Sequence, residues 1–66
     1  MTGNAVMRWI IRWRQEDVTL YYVGLGLWSD NRDSAETFGR RKGERVSREL
    51  RKQQGSKRGD ITLVQP

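Results

Sequence analysis

VTLYYVGLGLW, residues 18–28, is the stretch on which the reading of this chain turns. It carries no charge and mixes β-branched, aromatic and aliphatic residues, which predicts a strand. It is also far shorter than the roughly 20 apolar residues a membrane helix requires. Alternation along it sets Tyr21, Val23, Leu25 and Leu27 on one face and Leu20, Tyr22, Gly24 and Gly26 on the other. Two glycines on one face point to close approach of another backbone, a bulge or a sharp twist.

Upstream, QED at 15–17 is a polar break short enough for a hairpin loop, and Val6 to Arg14 alternates cleanly. Met7, Trp9, Ile11 and Trp13 fall on its inner face, with Val6, Arg8, Ile10, Arg12 and Arg14 outside. Met1 to Asn4 is a small polar lead expected to fray. Downstream, SDNRDSAETFGRRKG at 29–43 has turn chemistry at both ends, and Ala35 and Phe38 are spaced to form a short helical turn that holds Phe38 on the core. From Gly43 the pattern becomes helical. Val46 and Leu50 lie at i and i+4, and Glu44/Arg48 and Arg45/Glu49 are spaced for ionic support. QQGSKRGD at 53–60 ends the helix, with Gly55 as its cap, and continues as a basic loop into a final strand whose Ile61 and Leu63 face inward.

These elements predict one small α+β domain spanning 1–66, ordered ββαβ, with a helix across one face of a three-stranded, mainly antiparallel sheet. The expected core is Trp9, Ile11, Trp13, Tyr21, Val23, Leu25, Phe38, Val46, Leu50, Ile61 and Leu63. The opposite face is expected to stay open and to carry Arg8, Ile10, Arg12 and Tyr22. Trp28 falls out of phase with the inward set and is read as a lid on the core rather than an interface anchor.

Composition narrows the chemistry. The 66 residues include no cysteine and no histidine, which removes disulfides, thiolate metal sites and the commonest general base. Asp30, Asp33 and Glu36 have a spacing compatible with Mg²⁺ ligation, but with Ser29 and Ser34 they are better explained as turn and cap residues satisfying free backbone N–H groups. GLG at 24–26 and GRRKG at 39–43 lack the spacing of a phosphate-binding loop. The expectation is therefore a protein that is not an enzyme and needs no cofactor or metal. The N-terminal MTGNAVMR has no signal-peptide layout, so a cytoplasmic location without membrane partners is expected.

The charge distribution indicates what such a protein would bind. Net charge is +5, yet nine of the thirteen basic residues lie between Arg40 and Arg58, opposed there only by Glu44 and Glu49. That excess of one sign exceeds what solubility needs and steers polyanions to one end of the molecule. Arg41, Lys42, Arg45, Arg48, Lys52, Lys57 and Arg58 on the helix and loop are the first candidate contacts, to phosphates or to an acidic protein groove. Arg8 and Arg12 with Tyr22 on the open sheet face are the second, as an aromatic and basic platform.

The run Tyr22, Gly24 and Trp28-Ser29-Asp30, then Ala35 and Phe38, a helix with Val46 and Leu50, and a final Ile61-x-Leu63 strand resembles the small ββαβ accessory proteins of phages and other mobile elements, a class that includes many anti-CRISPR inhibitors. The resemblance covers about Arg8 to Val64. It implies a non-enzymatic protein that inhibits or modulates a host defence or nucleic-acid machine by occupying a surface, its partner a host protein or nucleoprotein complex. Direct binding of DNA or RNA is the alternative.

Overall fold

A computed structural model describes residues 8–54 and 59–66. Strands β1 (Ile10–Arg14), β2 (Thr19–Gly24) and β3 (Leu27–Ser29) are followed by a single 3₁₀ turn at Arg32–Ser34, helix α1 (Arg40–Gln54) and strand β4 (Asp60–Val64). All strand pairs are antiparallel, in the order β3-β2-β1-β4. The α+β class and, among the described residues, the single helix agree with the sequence reading. The sheet has four strands, not three.

The extra strand comes from the uncharged stretch. Rather than running unbroken from Val18 to Trp28, it folds back on itself at Leu25 and Gly26, both with positive φ (54° and 76°). Positive φ at both centres of a two-residue turn matches the right-handed twist of the flanking strands, and this is why such turns close hairpins. A register shift between Tyr22 and Gly24 bulges β2 just before the turn. The two glycines therefore serve a hairpin, and Leu25, expected in the core, is exposed at its tip with Leu27, expected on the same face.

The first hairpin sets which side chains face the helix. Arg12 pairs with Tyr21, Trp13 with Leu20 and Arg14 with Thr19. Residues directly opposite one another share a face. Ile11, Trp13, Tyr22, Trp28, Ile61 and Leu63 thus share the helix-side face of the sheet and pack with Phe38, Val46 and Leu50. Tyr21 lies on the far face with Arg12, and alternation carries Val23 with it, the reverse of the expected phase for β2. Ile10, on that far face in register with Val64, is only 2% exposed, so the face is not open throughout.

Phe38 is buried as expected, but in extended backbone rather than a helical turn. It exchanges two backbone hydrogen bonds with Trp9, at 2.9 and 2.8 Å, stitching the segment before α1 to the residue that leads into β1. The 3₁₀ turn lies earlier, where Asn31 Oδ1 accepts from the Asp33 N–H and Ser29 Oγ accepts from the Asn31 N–H.

Helix α1 begins three residues before Gly43, its first backbone bond running from the Gly43 N–H to the Gly39 carbonyl. Its buried stripe is Gly43, Ser47 and Leu50. A methyl group at Gly43 would stand 2.7 Å from Leu63 Cδ1, a flexible side-chain end, so only a small residue fits where the helix approaches β4. Ser47, 1% exposed, satisfies its hydroxyl by donating to the Glu44 carbonyl at 3.0 Å. The expected cap at Gly55 lies outside the described residues. Among those residues, no helix is long and apolar enough to cross a membrane.

Candidate functional site

Helix α1 packs against β4 and, to a lesser extent, β1. At about 100° per residue, Arg41, Arg45, Arg48 and Lys52 fall within roughly 60° of one another, directly opposite the buried stripe. All four are exposed. Their backbone positions rise in steps of roughly 6, 4.5 and 6 Å along the axis, so they form a ladder of cations. Arg40 stands apart from it. Its Nε meets Glu44 Oε2 at 3.4 Å and its guanidinium lies 5.8 Å from the Trp9 ring centre. Among the described residues this is the helix's ion pair, not the two expected at Glu44/Arg48 and Arg45/Glu49. Arg51 is likewise turned aside, donating from Nη2 to Ser47 Oγ at 3.3 Å.

The two candidate surfaces of the sequence do not merge. The ladder lies on the helix side of the sheet, whereas Arg12 lies on the far side, half-buried, next to Tyr21 rather than Tyr22. Arg8 precedes β1 and donates from Nη1 to Thr37 Oγ1 at 3.0 Å. Tyr22 is packed under the helix side, its ring 6.3 Å from Phe38 in a stacked arrangement and 5.3 Å from Trp28 edge-on. The expected platform of Arg8, Arg12 and Tyr22 is therefore not assembled. Lys57 and Arg58 lie outside the described residues. Trp28 packs against the core cluster, its ring 5.0 Å from that of Trp13, and is half-buried.

One feature of this side was not anticipated from the sequence. Between α1 and the β2–β3 turn runs a groove of about 270 Å³, floored by Tyr22, Val46 and Leu50. Its helix bank carries Lys42, Arg45, Glu49 and Gln53, and its other bank is Gly26, whose N–H donates to Tyr22 Oη at 3.0 Å. Glu49 and Gln53 had no signal as site residues, because their role depends on where the hairpin turns. Among the described residues no three carboxylates converge as a metal site would require, so Asp30, Asp33 and Glu36 do not form one. Comparison of the chain with protein-family models and curated proteins, and of its fold with solved structures, finds no match.

Proposed function

We propose that this chain is a non-enzymatic binding protein that modulates a nucleic-acid machine, in the manner of the phage-type accessory proteins it resembles, and that the outer face of α1 is its contact with phosphate groups. The observation that carries this reading is the ladder of Arg41, Arg45, Arg48 and Lys52, exposed and diametrically opposite the stripe that holds the helix to the sheet. Binding through that face costs the fold nothing, since none of the four side chains is part of the core. Occupancy rather than catalysis fits a chain without histidine or cysteine.

Four cations neutralising phosphates release counterions, so the logarithm of affinity should fall with the logarithm of salt at a slope of about −3 to −4 on a duplex. Fluorescence anisotropy with labelled oligonucleotides across a salt series measures that slope. Arg45→Glu combined with Arg48→Glu should weaken binding at least about tenfold and flatten the slope. Affinity that ignores salt, or survives the double substitution, sinks the reading. Capture from a bacterial lysate that resists nuclease treatment would instead assign the ladder to an acidic protein surface.

A further inference from the structure

The groove beside the ladder points to a more specific ligand. We infer that it receives an unstacked base of a single-stranded nucleic acid whose phosphates follow the α1 ladder, an inference that rests on the phosphate-binding reading above. Arg45 belongs to both features, standing in the ladder and on the groove's bank. A strand laid along the helix therefore passes the mouth of the groove.

The groove offers a phosphate less than the ladder does. On its bank Glu49 offsets one of the two cations, Lys42 and Arg45, and its floor is aromatic and aliphatic. What fits there is a flat, uncharged group with N–H donors at its edge. A nucleobase meets that description, and the pairing of a carboxylate with an exocyclic amine is a known mode of base reading. Gln53, on the same bank, adds one donor and one acceptor. The volume, about 270 Å³, is below the roughly 300–1,000 Å³ of pockets that hold drug-sized ligands, so it suits one ring system rather than an extended molecule. Bases in a duplex are stacked and paired, which leaves single strands as the class that can place one here.

The test compares three labelled probes at low salt: a short single strand of mixed sequence, an abasic strand of the same length, and a duplex. The base-bearing strand should bind at least about fivefold more tightly than the abasic one, the lower end of what one stacked base supplies. Gln53→Leu, which narrows the groove from an exposed helix position and offers no ring for stacking, should erase that ratio. Glu49→Gln gives a second readout, the loss of preference for an oligo-dC strand over oligo-dT. Arg41→Glu with Arg48→Glu, two ladder residues outside the groove, should weaken all three probes alike. Equal affinity for the base-bearing and abasic strands, or a duplex bound as tightly as the single strand, overturns the groove assignment and leaves the ladder standing. No salt-sensitive binding of any probe overturns both.

Discussion

The two halves of the helix-side face of the sheet are closed in different ways. Over β1 and β4 the closure is mainly aliphatic, with Ile11, Ile61 and Leu63 lying under α1, which comes close where the small Gly43 faces Leu63. Over β2 and β3 the helix is not the main cover, and Tyr22 and Trp28 pack on one another and on Trp13 of β1 instead. Large rings bury one another's surface without a second layer, through tilted and edge-on contacts that add to the area they bury. A helix seals its half, whereas self-packed aromatics leave a flank, and the groove is that flank. The protein thus keeps its tightest packing on one side and its candidate ligand site on the other.

The largest predicted effect sets one half against the other. Ile11 is completely buried, so Ile11→Ala should cost about 3 to 4 kcal/mol, enough to unfold most of a domain this small at ordinary temperature. Trp28 is half-buried, and Trp28→Ala should cost about 2 kcal/mol, less than the range for a fully enclosed aromatic. Urea denaturation followed by circular dichroism ranks the two. If Trp28→Ala proves the more damaging, the aromatic half is the true centre of the core and the division drawn above is wrong.

A smaller effect sharpens the account of the sealed half. Gly43→Val forces branched volume into a gap where even a Cβ meets Leu63 at 2.7 Å and Phe38 Cβ at 3.4 Å, and overpacking of this kind costs about 1 to 3 kcal/mol. Gly43→Ala should be close to neutral by the same urea assay. Its helix propensity gain of about 1 kcal/mol offsets the displacement of a flexible leucine end. A strongly destabilised alanine variant would mean that Leu63 has no room to move.

The sequence made the first strand legible because arginines mark one of its faces. The second strand had no such reference, since Leu20 to Leu27 offers only apolar residues, tyrosines and glycines. Its phase hung on the loop. A three-residue QED loop would set Arg14 opposite Val18, but the Gln15 N–H donates to the Val18 carbonyl at 2.8 Å, and the pairing begins with Arg14 and Thr19. One residue of slip moves every side chain to the other face, and this is how Tyr21 and Tyr22 exchange places. Gly43 looked like a helix boundary for a similar reason. Its low helix propensity is a local signal, while the need for a small residue against Leu63 arises only in the packed structure. The ladder was readable as a set of basic residues, and its alignment followed once the helix was seen to start at Arg40.

The smallest predicted effect concerns the turn that created the fourth strand. Leu25 holds φ at 54° with 96% of its surface exposed, so it accepts a conformation that costs a residue with a Cβ about 1 to 2 kcal/mol and gains almost no burial in return. Leu25→Gly removes that cost but increases the entropy of the unfolded chain by about 0.5 to 1 kcal/mol, leaving a net gain near 0.5 kcal/mol. For a domain of this length the melting temperature should rise by about 2 to 4 °C. Trp28 fluorescence should not change, because Gly26 still donates to Tyr22 Oη and the aromatic packing does not involve the leucine. A fall in melting temperature, or a shift in tryptophan emission, would show that Leu25 helps hold the helix-free half together, and the contrast between a sealed half and a self-packed one would have to include the hairpin tip.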